Sequence, residues 1–265
     1  MELQDFTFGD HSLSDFGMML GYVSTSAENN TPVSTTVTFD EYKNNLSWKS
    51  TALRSKYEEN LSATFDIIRN SCNDGNIYID NDTLAKVIRW LNSKTYQEFT
   101  PIYDSELDVH YYGTFPTIET IHLGNGIVGL TVTFQANAPY GFSSLKTVNT
   151  QSSDADWTLS IPNNMSDDIG FVYPQWTITP LESGDLTITP AYDGAESTTI
   201  LDCVKGTAIE IACDIKTIST SMINNFNWIF PNIYFNEDAQ SNFTVSLPCE
   251  ITVTYQLIRK VGIYV

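Results

Sequence analysis

Leu61-Ser62-Ala63-Thr64-Phe65-Asp66-Ile67 decides how the chain is read. Leu61, Ala63, Phe65 and Ile67 fall on one side of an extended backbone, and Ser62, Thr64 and Asp66 on the other. Side chains alternate between the two faces of a strand, so this period of two predicts a half-buried antiparallel strand. The pattern recurs in Gly129-Leu130-Thr131-Val132-Thr133-Phe134-Gln135, in Leu186-Thr187-Ile188-Thr189 and in Ile251-Thr252-Val253-Thr254-Tyr255. Between such runs stand clusters of Gly, Asn, Asp and Pro, as turns require. Asn125-Gly126, set between apolar runs, predicts a hairpin turn; no helix follows it to receive a phosphate.

One segment departs from the period of two. Leu84, Val87, Ile88 and Leu91 recur at helical spacing and predict a helix over about 83–94. Asp82 is the expected N-cap, Lys94 suits the C-terminal end of the dipole, and Asn76–Ile79 is expected to be a strand leading in. Ala138-Pro139-Tyr140-Gly141-Phe142 ends the last strand of this region, and Ser143 to Asp156 is polar and without apolar period. Residues 1–145 therefore read as a β-sandwich carrying one helix. Ser24 to Thr36 is its polar loop, with Asn29 to Ser34 expected to be mobile. From Trp157 onward short strands alternate with turns such as Pro162-Asn163-Asn164, Glu182-Ser183-Gly184-Asp185 and Asp193-Gly194. Residues 146–265 read as a jelly-roll or galectin-like sandwich, so the whole chain is mainly β in two domains.

Composition narrows the function. Of 265 residues, 42% are hydrophobic, enough for a core, and only 17% are charged, against a usual ~25%. Acids outnumber bases 32 to 13, for a net charge of −19. Nucleic-acid binding draws its affinity from Lys and Arg on phosphate, so such a partner is excluded, and an anionic membrane surface is an equally poor one. No window approaches the ~18 apolar residues of a membrane helix. Met1 to Gly9 lacks the basic and apolar regions of a signal peptide, so folding in a cytoplasm is expected. The four cysteines, Cys72, Cys203, Cys213 and Cys249, form no CxxC pair and are expected to be small buried thiols.

The search for chemistry is mostly negative. His11, His110 and His122 form no metal-binding spacing, and the chain has no GxSxG, P-loop or GxGxxG, so neither a metal, a cofactor nor an enzymatic activity is expected. Asp104, Glu106 and Asp108 alternate, which suits a solvated strand face better than a calcium loop. Trp157, Tyr173, Trp176, Tyr192 and Trp228 either fill the second core or expose rings. Of these, Trp157, Trp176, Tyr192 and Trp228 are the candidates for sugar stacking, and a carbohydrate-binding module is the alternative function. Lys43, Lys49, Arg54 and Lys56 are a local basic excess, read either as a contact for an acidic neighbouring subunit or as scattered solubilising charges.

Two stretches carry a resemblance. Phe6-Thr7-Phe8-Gly9-Asp10-His11-Ser12-Leu13-Ser14-Asp15-Phe16-Gly17 resembles the opening of the distal tail proteins (Dit) of long-tailed, siphovirus-type phages. The order that follows is similar too: the strand from Leu61, the helix with Trp90-Leu91, then Phe99 to Tyr103 and Asp108 to Gly113. In the second half, Asn163-Asn164, Tyr173-Pro174 and Trp176-Thr177-Ile178 resemble the second domain of that family, as do Gly184 to Ile188, Gly206 to Ile211 and the closing Ile251 to Tyr255. The resemblance implies a hexameric ring at the tail tip of a virion assembled in the host cytoplasm. Such a ring joins the tail tube protein to a tail-associated hub or lysin protein and anchors receptor-binding proteins. It implies no catalytic residue. Phe6, Phe8, Asp15, Phe16, Lys43, Lys49, Arg54 and Trp90 are the expected ring or partner contacts, with the 24–36 loop beside them.

Overall fold

The computed structural model describes residues 3–21, 35–43, 50–72, 75–103, 106–162, 166–168, 170–192, 194–235 and 240–263. The Ser24–Thr36 loop (but for Thr35 and Thr36), Lys49, Asp104 and Asn163-Asn164 lie outside the described residues. The chain forms two compact units, Met1–Phe142 with Lys260–Val265, and Ser143–Arg259. The return of the chain to the first unit at Lys260 is a feature that a single boundary near residue 145 does not contain.

The first unit contains strands β1 (Leu3–Phe8), β2 (His11–Ser12), β3 (Met18–Gly21), β4 (Val37–Lys43), β5 (Ser50–Tyr57) and β6 (Ser62–Arg69). Helix α1 (Asn81–Leu91) follows, then β7 (Gln97–Tyr103), β8 (Tyr111–Leu123), β9 (Gly126–Ala136) and the two-residue β10 (Gly141–Phe142). Seven strands form one antiparallel sheet in the order β2-β1-β7-β8-β9-β6-β3, while β4 and β5 pair only with each other. The period read at Leu61–Ile67 holds: Leu61, Ala63, Phe65 and Ile67 are buried, and so are Leu130, Val132 and Phe134 on β9. Three strands separate β1 from β6, which in a flat sheet at ~4.8 Å per strand would hold them nearly 20 Å apart. Yet the Phe6 and Phe65 rings lie 5.4 Å apart, so the sheet curls into a half-barrel around its aromatic core. Phe99, Phe115 and Phe134 complete that core, all fully buried. Ile263 is also buried there, and the Tyr111 hydroxyl donates to the Val261 carbonyl at 2.8 Å.

Two local expectations are corrected. Helix α1 starts earlier than the stripe suggested because Asp80, not Asp82, caps it: Asp80 Oδ1 accepts the Asp82 and Thr83 amides at 3.0 and 2.9 Å. Its last-turn base is Arg89. Residues 76–79 form no strand, because the Asn76 side chain takes the Tyr78 amide at 3.0 Å and bends the chain into a turn. The hairpin at 123–126 pairs Leu123 with Gly126, so its two turn residues are Gly124 and Asn125, with Gly124 at φ 61°. Glycine takes that conformation without a Cβ penalty.

The second unit holds β11 (Lys146–Ser152), β12 (Trp157–Pro162), β13 (Gly170–Val172), β14 (Gln175–Pro180), β15 (Gly184–Pro190) and β16 (Thr198–Cys203). Then come β17 (Ile209–Ala212), β18 (Thr217–Ile218), β19 (Ile233–Phe235), β20 (Gln240–Val245), β21 (Cys249–Tyr255) and β22 (Ile258–Arg259). A five-stranded sheet, β11-β21-β14-β17-β18, and a four-stranded sheet, β12-β20-β15-β16, enclose one core. Trp176 on the first sheet meets Phe243 on the second edge-to-face, 5.3 Å between centroids. Three of the four cysteines are buried, but Cys72 is exposed, because it follows the end of β6 where no second layer covers it.

Candidate assembly surfaces and a cleft in the second unit

The residues expected at a ring contact fall into two groups. Phe6 and Phe8 are fully buried on β1, so their rings build the core and offer nothing to a neighbour. Trp90 is 9% exposed. Its ring stacks on Phe6 and on Phe16 at 5.7 and 4.8 Å, and its indole N–H donates to the Phe8 carbonyl at 2.8 Å. Trp90 therefore clamps α1 to the first strand. Asp15 closes the short 3-10 turn Leu13–Phe16: its Oδ2 accepts the Ser12 amide at 2.9 Å, and Gly17 ends the turn at φ 65°. The Leu13-Ser14-Asp15-Phe16-Gly17 step is thus a self-capped turn that seats Phe16 on Trp90.

Of the others, Lys43 and Arg54 lie on the β4–β5 hairpin. Its ladder ends where the Glu58 amide donates to Thr36 O at 3.0 Å, and Thr35 Oγ1 ties it to the unit by donating to Pro139 O at 3.1 Å. Beyond that point the hairpin is a separate two-stranded ribbon. It leaves Val37, Phe39, Tyr42 and Leu53 exposed, at 42, 56, 59 and 70%. Leu53 stands out because a bulge between Asp40 and Glu41 leaves it without a cross-strand partner. Lys43 closes β4, and Arg54 sits directly opposite Asp40 in the register, with Lys56 two residues on.

The aromatics of the second unit are also split. Trp176 is 1% exposed and donates its indole N–H to Pro231 O at 3.0 Å, so burial removes it from the sugar-stacking set. Trp157 is half-buried, its indole N–H donating to Leu247 O at 3.3 Å. Trp228 is 55% exposed and holds a positive φ of 62°, its ring edge-on to Phe226 at 5.8 Å. Tyr192 is half-buried in a three-ring cluster with Phe171 and Tyr234, at 5.9 and 5.2 Å, and burial raises its phenol above the usual value. Beside this cluster opens a cleft of about 360 Å³ lined by Phe171, Tyr173, Cys213, Asp214, Lys216 and Asn232.

Among the described residues, no three His, Cys, Asp or Glu side chains are placed to hold a metal ion. Glu106 and Asp108 sit on a loop rather than a strand, so they do not share a strand face. Asp108 instead lies 3.7 Å from His110 Nε2, while Glu98 meets His110 Nδ1 at 2.7 Å.

Comparison with known proteins adds the rest. No curated protein sequence matches the chain. Among solved structures, the Dit protein of phage SPP1 is described as a paradigm of the hub adsorption apparatus in phages infecting Gram-positive bacteria. It superposes with a TM-score of 0.62 at 11% identity, covering 97% of this chain and 100% of its own. A chain of the phage P2 baseplate in its activated conformation with Ca gives a TM-score of 0.52 at 10% identity, covering 96% of this chain and 98% of its own. These likenesses establish the fold. Residues 1–138 match the model of a phage tail protein N-terminal domain, and residues 140–255 the model of a phage tail C-terminal domain. The chain belongs to this family of phage tail proteins, and across both units it has the fold of a distal tail protein.

Proposed function

We propose that the chain is a structural subunit of the tail tip and that six copies close into a ring around the tail axis. The tail tube protein docks on one side of the ring and the tail-associated hub or lysin protein on the other, with receptor-binding proteins attached at the periphery. The β4–β5 hairpin carries this reading. A two-stranded ribbon is at best marginally stable in water, and this one also exposes Val37, Phe39, Tyr42 and Leu53. A neighbouring subunit laid against it removes both costs. Contact between the hairpin of one subunit and a different surface of the next is head-to-tail, and repeating it closes a ring when the rotation suits. The acidic chain, net −19, repels phosphate and leaves DNA free to pass through the lumen. Light scattering with negative-stain images tests the proposal. A ring of about 178 kDa, six times the 29.7 kDa chain, with a central channel, is expected. A monomer at every concentration overturns the self-assembly.

A further inference from the structure

We propose that the second unit carries a binding cleft for a neutral saccharide, in which Phe171 and Tyr173 take the C–H face of a sugar ring and Asn232 and Asp214 take its hydroxyls. The cleft, about 360 Å³, falls within the ~300–1,000 Å³ range of small-ligand sites. One wall is the ribbon in which β13 pairs with β19, Phe171 standing opposite Tyr234. Phe171 and Tyr173 are 44 and 54% exposed. Phe171 is nevertheless held in place by Tyr234 and Tyr192, at 5.0 and 5.9 Å. A ring already fixed in the free protein loses little freedom when a ligand stacks on it. The turn after β17 also lines the cleft, pinned where the Cys213 amide donates to Pro174 O at 3.0 Å, one residue from Tyr173.

The polar groups select the ligand class. Asn232 Oδ1 is buried without a hydrogen-bond partner. Buried polar atoms are nearly always paired, so this acceptor calls for a donor that the chain itself does not supply. A sugar hydroxyl is such a donor. Asp214 and Lys216 place one negative and one positive charge on the rim, so the cleft favours neither an anion nor a cation. Cys213 lines the cleft, but burial pushes its thiol up to about 12. It stays protonated at neutral pH, which makes it a poor nucleophile.

This inference does not depend on the ring. The test uses the full chain titrated with glucose, N-acetylglucosamine, maltotriose and chitotriose, by calorimetry and saturation-transfer NMR. At least one trimer is expected to bind with a Kd on the order of 1 mM. Tyr173→Ala and Asn232→Leu are each expected to weaken it about tenfold or more, while Trp228→Ala, which alters an exposed ring outside the cleft, leaves it unchanged. Asn232→Leu removes an unpaired acceptor, so this variant is expected to melt no lower than the parent, which separates lost binding from lost folding. Three outcomes overturn the proposal: no saturation transfer or heat from any of the four sugars, binding that survives both cleft substitutions, or binding lost only in Trp228→Ala.

Discussion

Replacing Phe39 and Leu53 together by Asp separates assembly from folding. In the isolated chain these side chains are 56 and 70% exposed, so little folding free energy depends on them. Fully burying a Phe or Leu is worth about 1.5–3 kcal/mol. Scaled by those exposures, covering the pair contributes about 2–4 kcal/mol to each subunit contact, or roughly 30- to 900-fold in its dissociation constant. The added carboxylates, desolvated at an interface of an already acidic chain, act in the same direction. The expected result is a melting curve like that of the parent and a light-scattering mass that falls from ring to monomer at the same concentration. A variant that folds and still sediments as the parent ring refutes the hairpin as the assembling element. A variant that melts several degrees lower refutes the claim that these side chains are idle in the monomer.

The other predictions concern the fold. Trp90→Phe keeps a ring against Phe6 and Phe16 but strands the Phe8 carbonyl, at about 1–3 kcal/mol; Trp90→Ala adds a cavity, for about 3–5 kcal/mol. In calorimetry only the transition of the first unit should move, by ~2–4 °C per kcal/mol, and a Trp90→Phe variant that melts with the parent would refute the indole bond. Hydrogen bonds from the Thr83 amide and hydroxyl hold the Asp80 carboxyl below its usual value of 3.8. A group depressed in the folded state stabilises above its unfolded pKa and loses that contribution as pH falls through the folded one. The difference in melting temperature between the parent and Asp80→Asn should therefore persist at pH 7 and shrink below about pH 4. Thiol labelling at pH 8 should modify Cys72 at once and spare Cys213 and Cys249, whose thiols burial raises to about 12; a second rapidly labelled site would contradict their burial.

What was legible in the sequence follows from what each pattern reports. Apolar alternation reports burial within the chain, so Leu61–Ile67, Leu130–Phe134 and Ile251–Tyr255 were read correctly, and the stripe at Leu84–Leu91 gave α1. The hairpin was missed because Val37, Phe39 and Leu53 are buried by nothing in the monomer, and apolar residues held for a partner resemble loop residues. Phe6 and Phe8 were read as contact residues because their motif is distinctive, yet what makes it distinctive is a capped turn that packs on Trp90. The indole bond from Trp90 to Phe8 spans 82 positions, and no local spacing encodes it. The cleft was equally hidden, since Phe171, Cys213 and Asn232 meet only through the pairing of β13 with β19 and the turn after β17. Asp82 was read as the cap because it stands beside the apolar stripe, whereas the first turn forms two residues earlier and takes Asp80.

The return of the chain to the first unit at Lys260 sets an order of events during synthesis. Ile263 is a core residue of the half-barrel, and Val261 accepts the Tyr111 hydroxyl, but the ribosome makes the whole of the second unit before either emerges. At ~5–20 residues per second that interval lasts about 6–25 s. For that time the half-barrel is short of its last core side chain, while the second unit, contiguous from Ser143 to Arg259, has everything it needs to fold. The first unit is finished last although it begins first. A chain that stops before Lys260 lacks Val261 and Ile263 and so has an unfinished half-barrel.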